Sequence, residues 1–130
     1  MMFPFCQESH QIKVEVSPSF MDEQSDPQRS FYFFAYKVKI TNLGHTSVQL
    51  LRRRWIIVDG EGTTEDVEGL GVVGLQPKVQ KGRSFEYSSF CPLPTPTGHM
   101  RGQYLFVNED GKEFWVDIPE FILSEPAFFH

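Results

Sequence analysis

Three glycines with the spacing of a nucleotide-binding loop are the clearest candidates for chemistry in this sequence. Gly69, Gly71 and Gly74 match the pattern G-x-G-x-x-G, in which backbone amides approach a pyrophosphate and the following helix adds its dipole. No helix pattern follows here, since Pro77 comes soon after the last glycine, and an acidic run at 61–68 lies just upstream. We therefore predict a glycine-rich strand with a bulge or a tight bend. An anion held by a nest of amides is the alternative.

A second candidate is the run of three arginines that precedes Trp55. By strict alternation, Arg53 shares a strand face with Leu51 and Trp55, whereas Leu50 and Arg54 lie on the opposite face. The planar fork of Arg53 could clamp an anion or a carboxylate. The favoured interpretation is that its stem packs along Trp55 while its head pairs with one of the many acidic side chains.

The remaining polar residues form no catalytic or metal-binding pattern. The four histidines lack metal-ligand spacing with one another or with cysteine, and no serine lies in a nucleophile-elbow context. Cys91 follows the apolar Phe90 with no cation nearby in the sequence, which is typical of an inert thiol. Cys6 and Cys91 are expected to be free thiols in a reducing compartment, which favours a cytoplasmic location. We expect neither a cofactor nor a metal.

Composition limits the classes of partner. The chain has 130 residues, a net charge of −5 and a pI near 5.3, which argues against a broad surface for nucleic acid or anionic membrane. The start of the chain lacks the pattern of a signal peptide, and no apolar run approaches the ~20 residues of a membrane span. With 40% apolar residues and 13 phenylalanines, one folded domain over residues 1–130 is expected, with its core at about 12–123.

Alternation with period two runs through most of the chain and predicts strands. Ile12, Val14 and Val16 are apolar on one face, and the same pattern recurs in the segments 32–40, 84–89, 100–107 and 113–118. Turn signals of Asn, Asp and Gly, predicted to close hairpins, separate these runs at 42–44, 59–60, 81–82 and 108–111. The pattern predicts an all-β fold, an antiparallel β-sandwich of immunoglobulin or fibronectin type III style. It should have seven or eight strands and no helix longer than about two turns.

Some segments carry more specific expectations. Residues 31–35 are apolar on both faces and are predicted to be covered on both sides. The prolines at 92, 94 and 96 predict an edge strand or a crossing segment. Cys6 precedes the first alternating run and is expected in a mobile N-terminal segment. Phe128 and Phe129, in the tail, are expected to pack on the body or on a neighbour.

The residues from Val67 to Pro77 resemble the signature of the ApaG family. Three further segments agree with the family in order and spacing, namely Tyr36–Leu51, Arg53–Ile57 and Phe85–Gly102. The segment Ile118-Pro119-Glu120-Phe121 near the end is similar to the closing Ile-Pro-x-Phe of the family. The resemblance covers about 12–123. It departs from the family pattern at Arg54, where His or Tyr is expected, and in the tail after Leu123.

The resemblance implies a fibronectin type III-like sandwich of the free-standing bacterial form. In larger proteins the same domain resembles a partner-binding module, and the bacterial form is linked to cobalt and magnesium tolerance. The family carries no established catalytic residues. Its glycines correspond to Gly69, Gly71 and Gly74 and its arginine to Arg53, which are therefore the expected ligand-binding residues.

These observations lead to three functional hypotheses. The first is a non-enzymatic binding module, monomeric or weakly dimeric, which recognises an unknown protein partner through an exposed edge or aromatic patch. The second is a sensor that binds a phosphate- or pyrophosphate-containing small molecule at the glycine loop. The third and weakest is a phosphohydrolase, for which carboxylates and a base are not arranged.

Overall fold

A computed structural model of the chain, described for residues 3–126, has nine strands and two short 3-10 helices within that range. The strands are β1 (Phe5–Ser9), β2 (Ile12–Phe20), β3 (Tyr32–Asn42), β4 (Val48–Asp59), β5 (Thr64–Leu70), β6 (Lys78–Val79), β7 (Ser84–Leu93), β8 (Thr97–Asn108) and β9 (Glu113–Ser124). The 3-10 helices, Asp22–Gln24 and Pro27–Arg29, lie between β2 and β3. The all-β prediction is confirmed, with nine strands in this range where seven or eight were expected. No helix of this range is long and apolar enough to cross a membrane.

The strands form two antiparallel sheets that pack face to face. One sheet has the order β1-β2-β3-β7, and the other has the order β5-β4-β8-β9 with β6 beside β4. The alternating apolar side chains of both sheets point inward and are buried, as the period-two pattern requires. The largest fully buried side chains are Tyr104, Phe34, Phe106, Phe121, Ile12, Ile40, Leu50, Met100, Leu123, Val14, Val16 and Val38.

The turn signals separate strands as predicted, but only two of them close hairpins. The turn after Asp59 joins β4 to β5, and the turn after Asn108 joins β8 to β9, each within one sheet. The segments at 42–44 and 81–82 instead cross from one sheet to the other. The buried side chain of Asn42 supports the first crossing, because its amide nitrogen donates to the carbonyl oxygens of Thr46 and Val79.

Several local expectations need correction. The segment that contains Cys6 is an edge strand, β1, paired with β2, rather than the mobile segment that was expected. A bulge at Leu51 lets Leu50 share the buried inner face with Trp55, because one extra residue shifts the alternation. The outer face of β3 near Phe31 is also partly exposed rather than covered.

Other local expectations agree with the structure or lie outside its description. Cys6 is exposed, Cys91 is buried, and both are free. The proline segment forms the end of an edge strand, β7, and the crossing to β8, as predicted. The predicted packing of Phe128 and Phe129 concerns residues outside the described range.

Candidate functional site

The glycine motif forms a tight hairpin directly after β5. Val72 and Leu75 exchange two backbone hydrogen bonds of 2.8 Å, and the two residues between them, Val73 and Gly74, have positive φ angles of 43° and 80°. Two central residues with positive φ are the hallmark of a type I′ turn. The amide of Gly71 donates to the carbonyl oxygen of Leu51 at 2.8 Å. The amides of residues 71, 72 and 75 are therefore already engaged in the main chain.

Arg53 holds this hairpin against β4. Its Nη1 donates to the carbonyl oxygens of Leu70 and Gly71, both at 2.9 Å. The guanidinium lies against the backbone of Gly69, where an added Cβ would be 3.0 Å from both Nη1 and Nη2. Since real Cβ atoms rarely approach neighbours so closely, a side chain at Gly69 would displace the arginine head.

The expectation that the head of Arg53 pairs with an acidic side chain is wrong within the described residues, where it binds backbone carbonyl oxygens. β5 pairs with β4 so that Gly69 lies opposite Arg53, and the acidic Asp66 and Glu68 lie on the outer face. There they pair with Arg54, whose Nη2 is 2.7 Å from Asp66 Oδ2 and whose Nε is 3.7 Å from Glu68 Oε1. The Arg54 guanidinium lowers the pKa of the Asp66 carboxyl through their hydrogen bond.

Beside the hairpin lies a small pocket at the open edge between the sheets, about 180 Å³ in volume. Arg53 and the turn residues Val73 and Gly74 line one side, and Tyr36 and Ser89 line the other. Burial raises the pKa of the Tyr36 phenol, and its hydrogen bond with Ser89 and the charge of Arg53 offset this only in part. The phenol is therefore neutral near pH 7, and the pocket offers hydroxyl groups and one cation.

Beneath this pocket the Tyr87 and Tyr104 hydroxyls form a buried hydrogen bond. Burial raises the pKa of both phenols well above the usual range. Among the described residues, those that line the pocket include no histidine, cysteine or carboxylate, so the pocket holds no ordinary general base.

Exposed apolar side chains surround the same site. Leu70, Val73 and Leu75 are 65%, 53% and 53% exposed, and we call these three side chains the hairpin patch. A second group lies on the outer face of β3 and β7. There Phe33 stacks between Phe31 and Phe90, with ring centroids at 5.9 Å and 5.2 Å.

A larger depression of about 420 Å³ lies on the face that carries Arg54, with Arg101, Gln103 and Asp117 in its lining. Two of its polar side chains already have partners, because Arg54 pairs with Asp66 and Gln103 donates to Asp117 at 3.0 Å. The hairpin site is the stronger candidate because it combines exposed apolar side chains with Arg53, which has no acidic partner among residues 3–126.

Comparisons with known proteins agree with this architecture. The model of the ApaG domain matches residues 22–108. The chain belongs to the ApaG family. It is 51% identical to Protein ApaG of Bdellovibrio bacteriovorus over 92% of this chain and 94% of that protein. It is 50% identical to Protein ApaG of Bordetella pertussis over 93% and 92%.

A solved structure shows the same fold as this ApaG-family chain. The crystal structure of an ApaA protein from Bordetella pertussis superposes with a TM-score of 0.86 and 52% sequence identity, and the match covers 88% of this chain and 94% of that one. The antiparallel sandwich is therefore the fold of a close relative as well.

The residues singled out from the ApaG signature come together in this structure. Gly69, Gly71 and Gly74 form the hairpin, and Arg53 binds its carbonyl oxygens. Three further residues of the site, Tyr36, Ser89 and Val73, were not expected from the sequence. Tyr36 and Ser89 meet through the pairing of β3 with β7, which has no local sequence signal. Among residues 3–126, no group of three or more His, Cys, Asp or Glu side chains is placed to hold a metal ion.

Proposed function

We propose that this ApaG-family chain is a protein-binding module whose contact surface is the hairpin patch of Leu70, Val73 and Leu75. The observation that carries the proposal is the conformation of Val73, a β-branched residue with a φ of 43° and a half-exposed side chain. Residues of this kind rarely adopt positive φ, and type I′ turns favour Asn, Asp or Gly at this position.

Neither the turn nor the core accounts for a valine at this position. Val73 strains the backbone by about 1–3 kcal/mol, and its exposed side chain recovers little by burial. Leu70 and Leu75 next to it are even less compatible with a purely structural role, because both expose most of a large aliphatic side chain. Three exposed aliphatic side chains within six residues of one hairpin are typical of a surface that a partner covers.

The edge strand β7 offers a second contact surface to the same partner. β7 pairs with β3 on one side and ends the sheet on the other. Ser89 faces the pocket beside the hairpin, whereas the next residue, Phe90, faces outward and is 57% exposed. A peptide that adds a strand along β7 would place alternate side chains on these two faces.

A phosphate-containing small molecule at the glycine loop receives less support. Three of the amides that an anion nest would use donate to backbone carbonyl oxygens instead, and the acidic Asp66 and Glu68 lie close by on β5. The positive charge of Arg53 beside the loop favours an anion, but it does not replace the engaged amides. An enzymatic role receives less support still, since the described pocket lining lacks a base and a carboxylate.

The test is affinity capture from a bacterial lysate with quantitative mass spectrometry, comparing the wild-type chain with Val73→Asn. Asparagine suits the turn, so this variant should fold at least as well as the wild type. The matched control is Ile122→Asn, the same loss of an exposed aliphatic side chain, 57% exposed, on β9.

We expect a protein that the wild type and the Ile122→Asn control retain and that Val73→Asn loses by about tenfold or more, as for a central interface residue. Loss with Phe90→Ser as well would indicate that the partner also occupies β7. Equal retention by all the variants would contradict the proposal.

A further inference from the structure

Arg53 carries a positive charge that no acidic side chain among residues 3–126 neutralises. The neighbouring Arg54 has two carboxylate partners, Asp66 and Glu68. Arg53, in contrast, is bound within the described part of the chain only by the neutral carbonyl oxygens of Leu70 and Gly71. A partly buried guanidinium without a counter-charge is costly to keep, and one with a defined orientation is a preformed site for an anion.

The hydrogen bonds of Arg53 also determine which of its donors remain. Nη1 uses its two N–H groups on the carbonyl oxygens of residues 70 and 71. Nε and Nη2 have no acceptor among the described residues. Side by side, these two atoms form the fork that binds the two oxygens of one carboxylate.

The rest of the pocket suits a small planar group attached to an apolar chain. The Tyr36 and Ser89 hydroxyls lie across from Arg53, and Trp55 and Val72 supply apolar walls. The volume of about 180 Å³ accommodates a side-chain carboxylate and its methylene groups but not a nucleotide. The exposed tip of Val73 stands at the rim, where residues that flank the carboxylate would rest.

We propose that this pocket binds the side-chain carboxylate of an acidic residue flanked by aliphatic residues in the protein partner. The proposal rests on the proposed function and specifies the partner's chemistry. The carboxylate pairs with Nε and Nη2 of Arg53, and the flanking aliphatic side chains pack on the hairpin patch. A single acidic residue fits best, because Asp66 and Glu68 on the outer face of β5 and the net charge of −5 would repel further ones.

The test is a titration of ¹⁵N-labelled protein, following the Arg53 Nε–H signal and the backbone amides of 70–75. The probes are the N-acetylated and C-amidated tripeptide Val-Glu-Val, its neutral analogue Val-Gln-Val, and Val-Gln-Val with a free C-terminal carboxylate. Inorganic phosphate and pyrophosphate are tested in separate titrations. All titrations are run at constant ionic strength, because a change in screening alone shifts the signals of exposed charged groups.

We expect Val-Glu-Val to shift the Arg53 Nε–H signal with saturation at millimolar concentration, about tenfold more tightly than Val-Gln-Val. Ser89→Val should weaken this binding by about tenfold, because it removes a hydroxyl group and narrows the pocket, while valine remains compatible with the β7 strand. Arg53→Lys should abolish the binding. Arg54→Lys, on the opposite face, is the matched control and should bind as the wild type does. Ser89→Val leaves the hairpin bonds of Arg53 intact, so the test stands even if Arg53→Lys does not fold.

The possible outcomes separate this inference from the proposed function. Equal binding of both amidated tripeptides, tighter binding of the free C-terminal carboxylate, or tighter binding of phosphate or pyrophosphate would each overturn it. The absence of any shift at Arg53 would also overturn it and would indicate that the arginine only holds the hairpin against β4. If partner capture still depends on Val73 in these cases, the proposed function survives. If Val-Glu-Val binds at Arg53 but capture ignores Val73, the proposed function fails and the carboxylate site remains.

Discussion

Replacing Gly71 by valine should open the glycine hairpin and destabilise the fold. Gly71 has a φ of 60°, and a Cβ at this position would lie 2.1 Å from the carbonyl oxygen of Leu75. That oxygen accepts the hydrogen bond from the amide of Val72, so it cannot retreat without breaking the turn. The backbone strain contributes about 1–3 kcal/mol, and the loss of the two Val72–Leu75 hydrogen bonds contributes about 1 kcal/mol each. We expect a loss of about 3–5 kcal/mol in the free energy of unfolding.

The matched control is Gly74→Ala in the same turn. Gly74 has a φ of 80°, but a Cβ there would meet no atom within 4 Å. This variant isolates the conformational cost, about 1–2 kcal/mol, from the close approach at Gly71. The difference should be visible in thermal melts followed by circular dichroism, at roughly 4 °C for each kcal/mol.

Melting temperatures of Gly71→Val and Gly74→Ala within a few degrees of each other would show that the close approach at Gly71 adds no cost. The same melts with pyrophosphate distinguish the alternative function. If Gly71→Val melts like the wild type, and pyrophosphate raises the melting temperature of the wild type only, the loop is an anion site rather than a structural turn. A lower melting temperature for the variant, with no effect of pyrophosphate on either protein, supports structural glycines.

Three further predictions concern side chains around the same site. Val73→Asn should raise the free energy of unfolding by about 1 kcal/mol, because it relieves a strained turn position. Denaturant titration measures this change, and a loss of stability would show that Val73 is not strained there. With a thiol reagent at pH ~8, Cys6 should react in the native protein. Cys91 should react only after denaturation, because burial raises its pKa to about 11. The absence of any reactive thiol, even after denaturation, would indicate a disulfide and contradict this prediction. Burial raises the pKa of Tyr87 and Tyr104, so their contribution to stability is fully present below the unfolded value of about 10 and is lost as the pH rises above it. Melting temperatures should therefore fall more steeply above pH ~10 in the wild type than in the Tyr87→Phe/Tyr104→Phe double variant, and equal slopes would contradict this assignment.

The buried faces of the sheets can be predicted directly from the alternating sequence, but the edge strand β1 and the bulge in β4 cannot. The alternation at Ile12, Val14 and Val16 allows only one face to be apolar, and these three residues are buried. β1 carries no such pattern, because most of its side chains are exposed and it is held by pairing with β2. The bulge at Leu51 is also invisible in the sequence, since either neighbouring leucine could be the buried one.

The site divides in the same way between local and long-range causes. The hairpin glycines lie within six residues of one another, and Arg53 belongs to another segment that matches the same family, so the sequence identifies them. Tyr36 and Ser89 come together only through the pairing of β3 with β7, which depends on the whole sheet. The turn conformation of Val73 runs against the preference of valine, so no propensity argument could have found it.

The three glycines match a nucleotide-binding motif in spacing, yet each is required here for a different physical reason. Gly69 leaves room for the guanidinium of Arg53 to lie on the backbone of β5. Gly71 allows the backbone to approach the carbonyl oxygen of Leu75, and Gly74 supplies the positive φ that the second turn position needs. In a dinucleotide-binding fold the same spacing frees amides for a phosphate. In this hairpin it engages the amides of residues 71, 72 and 75 in the main chain and orients Arg53, so the charge that the site offers to a ligand comes from the side chain of Arg53.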